Sequence, residues 1–192
     1  LARSALRKCA SISVRDSASH ALAISLLSNK KIIQSFDPVL LLLESQKSNE
    51  SSKNVFIIIP RHNSTPLFRK RMQEQGLQRE WDEIRILSLQ PDDANEWKTC
   101  QELAQSLGLS VTPVRSLDDL TQQIAEASFV LSQRYHGALA ALALGVEYEV
   151  VAQGGGDKLS QLIGWQGRQQ ECKRLVLEGE QALQAAIGLL AD

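Results

Sequence analysis

The stretch "NVFIIIP" (residues 54–60) decides the fold, because it contains five consecutive apolar residues with no polar alternation. A strand of this kind is buried on both faces, as in a parallel sheet whose two sides are covered by helices. Outward from it, short β-rich runs alternate with amphipathic stretches of helical period. The sequence therefore predicts an α/β fold with one Rossmann-like, doubly wound parallel sheet.

The boundaries of the elements follow from the same periodicity. The predicted strands are residues 11–14, 31–34, 54–60, 83–89, 109–114, 128–133, 148–152 and 174–177, and the predicted helices are 66–75, 94–107, 117–127 and 180–190. The polar segment 45–53 predicts a surface loop. Asp16 is predicted to cap a helix, Asp37 to lie in a turn, and the acidic run 91–96 to begin a helix.

Length and composition limit the class of protein. The 192 residues suffice for one domain with a sizeable core, so we expect a single domain over residues 1–192. A net charge of −1 gives no sign of a nucleic-acid partner, and the three cysteines form no CxxC pair. The longest apolar run, residues 138–144, is too short to span a bilayer. These features favour a cytoplasmic protein, free or peripheral at the inner membrane face, with no metal site or cofactor.

Three loops that follow predicted strands carry polar chemistry. They are "PRHN" (60–63), "QRYHG" (133–137) and "QGGGDK" (153–158). In open α/β sheets, ligands bind in the crevice beyond the carboxyl ends of the strands. Because these loops present arginine, histidine, glycine and lysine at that edge, the sequence predicts one shared anion site.

The "RYHG" segment suits an anion at the start of a helix, whose first N–H groups are unpaired and carry a partial positive charge. Arg134 supplies a planar fork for phosphate or carboxylate, and His136 supplies one or two further donors. Gly137 leaves the backbone open to close approach. The alternative is structural: Arg134 pairs with a core carboxylate and His136 only caps the helix.

A longer set of motifs resembles one known family. The segments are "SISVRDSASHALAISLL" (11–27), "FDPVLLL" (36–42), "VFIIIPRHN" (55–63) and "FVLSQRYHGALAALALGVEYEVVAQGGGDK" (129–158). In this order they resemble the C-terminal half of the polysaccharide pyruvyl transferase family. Two departures are Tyr135, where the family usually has leucine, and the glycines 154–156 ahead of Asp157.

The resemblance implies a two-domain, glycosyltransferase-B-like enzyme that moves pyruvyl from phosphoenolpyruvate onto a sugar. This chain, which begins inside a helical pattern, would be the C-terminal, donor-binding domain of a longer protein and inactive alone. The acceptor would be a glycan or glycolipid precursor of a cell wall or exopolysaccharide, closed into a cyclic ketal with release of phosphate. The resemblance assigns Arg61, Arg134, His136, Asp157 and Lys158 to the phosphoenolpyruvate site, and His136 is the candidate general acid.

Two other functions remain open. One is a nucleotide-sugar-binding domain of the same broad fold, whose Arg/His loop would hold a diphosphate. No acidic residue is evident that could grip a ribose, since Glu147 and Glu149 lie in or beside the wrong strand. The other is a non-catalytic anion-binding domain.

Overall fold

A computed structural model describes residues 2–9, 11–27, 29–44, 53–154 and 157–188. The strands are β1 (Ile12–Val14), β2 (Ile32–Gln34), β3 (Val55–Ile59), β4 (Glu83–Ser88), β5 (Val111–Pro113), β6 (Phe129–Ser132) and β7 (Glu147–Val150). The helices are α1 (Ala2–Lys8), α2 (Ser17–Leu26), α3 (Val39–Glu44), α4 (Pro66–Gln78), α5 (Ala94–Leu107), α6 (Leu117–Ala125), α7 (Tyr135–Leu144) and α8 (Gln169–Gly188), with a 3-10 helix at Lys158–Leu162. Most of the segment predicted as a surface loop, residues 45–52, lies outside the described residues.

The chain divides into two compact units, residues 41–169 and residues 1–40 with 170–192. The single domain expected over residues 1–192 stays a prediction. None of the helices in the described ranges is long and apolar enough to cross a bilayer.

The larger unit contains a five-stranded parallel sheet in the order β5-β4-β3-β6-β7. Counted from β3, this is the order 3-2-1-4-5 of a Rossmann-like fold, so the α/β prediction is confirmed. The strand order reverses between β3 and β6. These two strands are neighbours in the sheet, with Phe56 paired to Phe129, although they are far apart in the sequence. Ligand crevices of such sheets open at this reversal, beyond the carboxyl ends of the strands.

The core of this unit lies on both faces of β3, all five residues of which are buried. Phe56 and Ile58 join a cluster with side chains of α4 and α5, while Ile59 faces α7 on the opposite side. The α7 residues 137–144 are all buried, as expected of a helix made of alanine, leucine and glycine. A continuously apolar strand is therefore covered on both sides, as the sequence predicted.

In the smaller unit, β1 and β2 pair with each other in a separate two-stranded parallel sheet, so the prediction of one sheet is wrong. Asp16 caps α2 by accepting a hydrogen bond from the Ser19 backbone N–H at 2.6 Å, as predicted. The carbonyl of Asp37 accepts from the Leu40 N–H, as a turn residue does, but its buried carboxylate also pairs with Arg15 at 3.0 Å.

The strand predicted at residues 174–177 is wrong, because these residues lie within α8. Cys172, Val176 and Gly179 are buried at i, i+4 and i+7, which is the period of a helix face. The four residues "RLVL" are barely more than one helical turn, which is too short a window to distinguish the helical period from that of a strand.

Candidate functional site

The loops after β3, β6 and β7 begin side by side. Ser132 pairs with Ile59 on one side and with Val150 on the other. The Gln133 N–H donates to the Ile59 carbonyl at 2.8 Å, and the Val151 N–H donates to the Ser132 carbonyl at 3.1 Å. This alignment places the start of all three loops at one edge of the sheet.

A cavity of about 300 Å³ opens at this edge. It is lined by Arg61, Leu89, Gln90, Gln133, Arg134, Tyr135, His136, Asp157, Lys158 and Leu159. Its volume is at the lower end of the range for small-molecule sites, roughly 300–1,000 Å³. Five of the six residues predicted from the sequence as site residues therefore lie around one cavity. Their roles toward a ligand stay predictions.

Gly137 is the predicted site residue that does not line the cavity. It is buried, and a Cβ atom there would lie 2.5 Å from Ile59 Cδ1 and 2.9 Å from Ser132 Oγ. The missing side chain therefore lets the first turn of α7 pack directly on β3 and β6. Its predicted approach to a ligand stays a prediction.

Arg134 is the N-cap residue of α7, in an extended backbone conformation with φ −111° and ψ 130°. Its side chain makes no cap hydrogen bond to the helix. Instead, Nη2 donates to Gln90 Oε1 at 2.7 Å and forms an ion pair with the Glu96 carboxylate. These contacts hold the guanidinium at the cavity wall, where only 16% of the side chain is exposed.

Glu96 is a functional candidate that sequence reasoning missed. The run 91–96 was expected only to begin a helix, and Asp93 does cap α5, accepting from the Asn95 and Glu96 N–H groups. The Glu96 side chain is fully buried, however, and it also accepts from the Gln90 N–H at 2.9 Å. The only local signal was a glutamate three residues after an N-cap, the position of a capping box.

The structural alternative for Arg134 is thus partly correct, because its guanidinium does pair with a core carboxylate. His136 does not cap α7, since it is exposed at the cavity rim with its ring edge-on to Tyr135 at 5.6 Å between centroids. The Nε atoms of Arg134 and Arg61 are buried and have no hydrogen-bond partner in the described part of the chain. Each arginine therefore keeps a donor that these contacts do not use, and in Arg134 this holds despite its ion pair.

The electrostatics of the cavity favour an anion. The pKa of the Arg134 guanidinium lies below its ordinary value, first because burial disfavours its charge and second because Arg61 repels it. Asp93 acts in the opposite direction but does not cancel these effects. Holding the positive charge there costs free energy, and a bound anion would recover part of it.

The loop after β7 contributes Asp157 and Lys158. The Asp157 carboxylate accepts from the N–H groups of Gln153 at 3.1 Å and Leu159 at 3.2 Å, so it caps the 3-10 helix that follows. The Gln153 amide in turn donates to the His62 carbonyl at 3.1 Å, which joins this loop to the one after β3. Lys158 is exposed, while residues 155–156 lie outside the described ranges. Asp157 thus has a structural task, and its predicted contact with a ligand stays a prediction.

Among the described residues, no group of three or more histidine, cysteine, aspartate or glutamate side chains is arranged to hold a metal ion. The cavity wall carries the cationic side chains of Arg61, Arg134 and Lys158, neutral hydrogen-bonding groups, the His136 imidazole, and the Asp157 carboxylate.

Comparison with known sequences assigns the chain to a family. No curated protein matches the chain. The profile described as "Polysaccharide pyruvyl transferase" matches residues 1–147, a span that includes Arg61, Arg134 and His136 and ends before Asp157. The resemblance seen in the sequence motifs is thereby confirmed. Because the match takes in 147 of the 192 residues, with both arginines of the cavity among them, the chain belongs to the polysaccharide pyruvyl transferase family, a family of transferases.

Proposed function

We propose that this chain provides the donor side of a pyruvyl transfer and that the cavity binds phosphoenolpyruvate. The observation that carries the proposal is the pair of buried, unpartnered Nε donors on Arg61 and Arg134. Buried donors without acceptors cost free energy, and anionic oxygens would satisfy them. Phosphoenolpyruvate carries both a carboxylate and a phosphate, so two arginine forks can divide its charge between them. Lys158 at the rim adds a third cation.

The reaction requires one proton and two sugar hydroxyls. A general acid protonates the methylene carbon, which becomes a methyl group, and the adjacent carbon acquires oxocarbenium character. One hydroxyl oxygen of the glycan acceptor attacks that carbon and gives up its proton, which replaces the one used on the methylene carbon. The bond from the carbon to the phosphate oxygen then breaks, and the second hydroxyl oxygen bonds to the same carbon to close the ketal. The proton of this second hydroxyl leaves with the released phosphate. His136 is our candidate acid, since it lines the cavity, is exposed to solvent and carries an imidazole, the side chain that most often serves as a general acid.

A nucleotide-sugar donor is the second candidate, and one observation favours it. Asp92 and Asp93 follow β4, the second strand of the sheet order, where Rossmann-like proteins place the acidic residue that grips a ribose. They line a cavity of about 580 Å³ beside the first. The prediction that no acidic residue is placed to grip a ribose, made with Glu147 and Glu149 in view, stays a prediction.

Two contacts argue against that candidate. The Asp93 carboxylate is occupied as the cap of α5, and Asp92 pairs with Arg115 at 3.2 Å. The loop after β3 is "PRHN" rather than the glycine-rich turn that lets a pyrophosphate approach the backbone. Phosphoenolpyruvate accounts for the arginines without requiring either feature, so we retain it as the donor.

Titration calorimetry with phosphoenolpyruvate, inorganic phosphate and UDP tests the proposal. Wild type should bind phosphoenolpyruvate more tightly than UDP. Arg134→Ala should weaken binding by about two orders of magnitude or more, because a guanidinium fork can make two charge-assisted hydrogen bonds, each contributing roughly 1.5–3 kcal/mol. Arg134→Lys should recover only part of the loss, since a point charge does not replace the fork.

The controls separate binding from folding. Arg61→Ala tests the cavity without removing the partner of Glu96, and Arg79→Ala removes an exposed arginine that does not line the cavity. We expect Arg61→Ala to weaken phosphoenolpyruvate and Arg79→Ala to leave it unchanged. Unaltered affinity in a folded Arg61→Ala or Arg134→Ala protein, or tighter binding of UDP than of phosphoenolpyruvate, contradicts the proposal.

A further inference from the structure

Gln133 is a buried amide on the wall of the same cavity, and it was not among the site residues predicted from the sequence. Only 1% of the residue is exposed. Its backbone N–H is fixed by the 2.8 Å hydrogen bond to the Ile59 carbonyl, at the point where β3 and β6 end. The side chain therefore starts from a fixed backbone position directly before Arg134, and it contacts the loop that carries Arg61.

The orientation of the Gln133 amide follows from the hydrogen bond that its side chain accepts in the described part of the chain. The Arg61 backbone N–H lies 3.4 Å from Gln133 Oε1. Because an N–H group can only donate, the amide atom facing it must be the oxygen. Nε2 then lies on the other side of the amide, where it is buried and has no hydrogen-bond partner within the described ranges. An NH₂ group in this state has lost its water without gaining an acceptor.

We propose that Gln133 is a further ligand-binding residue, whose Nε2 donates a hydrogen bond to an anionic oxygen of the bound donor substrate. The inference rests on the proposed function, since it takes phosphoenolpyruvate as the ligand. It joins three observations: a cavity-lining position, nearly complete burial, and an unpartnered donor beside two arginines whose Nε atoms are also unpartnered.

A neutral donor suits this position better than a third cation. Arg61 and Arg134 already repel each other across the cavity. An amide adds a hydrogen bond to the ligand without adding to that repulsion when the cavity is empty. It also remains a donor at every pH at which the protein is folded, because it does not titrate.

A purely structural role is the competing explanation, in which Gln133 only holds the Arg61 loop through Oε1. Two substitutions separate the roles. Gln133→Glu keeps an oxygen for the Arg61 N–H but replaces the donor with a carboxylate, which repels an anion. Gln133→Met has similar length and removes both the acceptor and the donor. A structural residue would tolerate glutamate better than methionine, whereas a ligand-binding donor would tolerate methionine better than glutamate.

The experiment is calorimetric titration of phosphoenolpyruvate into wild type, Gln133→Met and Gln133→Glu, with thermal melts to show that each protein is folded. Ser88→Ala is the matched control, because Ser88 is also fully buried at the end of a strand but does not line the cavity. We expect Gln133→Met to weaken binding about tenfold, Gln133→Glu to weaken it further, and Ser88→Ala to have no effect.

The outcomes are distinct. Wild-type affinity in folded Gln133→Met, or near-wild-type affinity in Gln133→Glu, overturns the role of Gln133 while leaving phosphoenolpyruvate as the ligand. If Gln133→Met does not fold, the isosteric Gln133→Glu titration decides alone. Failure of the wild-type protein to bind phosphoenolpyruvate overturns the proposed function, and the assignment of Gln133 with it.

Discussion

The buried ion pair between Arg134 and Glu96 leads to a quantitative prediction about stability. Glu96 is fully enclosed, and 16% of the Arg134 side chain is exposed. Removing one partner of a buried pair leaves an uncompensated charge and costs about 3–5 kcal/mol. Because Gln90 still accepts from Arg134, we expect Glu96→Gln to cost the lower amount, about 3 kcal/mol. At about 2–4 °C per kcal/mol for a chain of this size, the melting temperature should fall by about 6–12 °C.

A double-mutant cycle shows whether the pair is the cause. Arg134→Met removes the cation and Glu96→Gln removes the anion, so the double variant contains no unpaired buried charge. We expect it to be more stable than the sum of the two single effects predicts, by about 2 kcal/mol. The melts are recorded by circular dichroism in a buffer free of phosphate and carboxylate, since such anions would stabilise the variants with an unpaired arginine.

The matched control is Glu147→Gln, which breaks an ion pair with Arg79 of the same residue types at 3.0 Å. Both side chains of that pair are more than a third exposed, so its loss should cost about 1 kcal/mol or less. Equal melting temperatures for Glu96→Gln and Glu147→Gln, or additive effects in the double variant, would refute the reasoning.

Three further predictions concern packing, pH and catalysis. Gly137→Ala should destabilise the protein by about 1–3 kcal/mol because its Cβ meets close neighbours, whereas Gly76→Ala, which has open space within α4, should not; urea denaturation measures both. Burial raises the pKa of the Cys100 thiol from 9.0 to about 11, so the unfolded chain releases this proton first and stability falls as pH rises from 9.0 to about 11. In Cys100→Ala the free energy of unfolding should fall less over this pH range. An equal fall in wild type and Cys100→Ala, measured by urea titration, would contradict the role of Cys100. His136→Asn should abolish phosphate release from phosphoenolpyruvate in a system that transfers pyruvyl, yet nearly spare calorimetric binding; retained turnover excludes His136 as the acid.

The sequence predicted those features that depend on local pattern. Five apolar residues in β3 were enough to indicate a buried parallel strand. The positions of Arg61 and Arg134 directly after strands were enough to expect them at one edge. Both signals act over a few residues, so no knowledge of distant partners was needed.

The features that sequence reasoning missed depend on distant partners. The Glu96 carboxylate is buried by its contact with Arg134, 38 positions later in the chain, and nothing around "DANEW" indicates that contact. The unpartnered amide of Gln133 is visible only once its oxygen is seen against the Arg61 N–H. The separate pairing of β1 with β2 is likewise absent from the local sequence, because the residues of a strand do not specify which other strand it pairs with.

The adjacency of β3 and β6 also determines when in folding the cavity can exist. Phe56 and Phe129 pair although they are separated by 73 positions, and α4, β4, α5, β5 and α6 lie between them in the chain. Closing so long a loop costs entropy before the contact returns any stability, and such non-local pairing slows folding. A chain emerging from the ribosome could form β3 and β4 early, but Arg61 would face no Arg134 until β6 had docked. Anion binding should therefore recover later during refolding than the helical circular dichroism signal does. A bound anion would stabilise the sheet only after β6 has paired with β3.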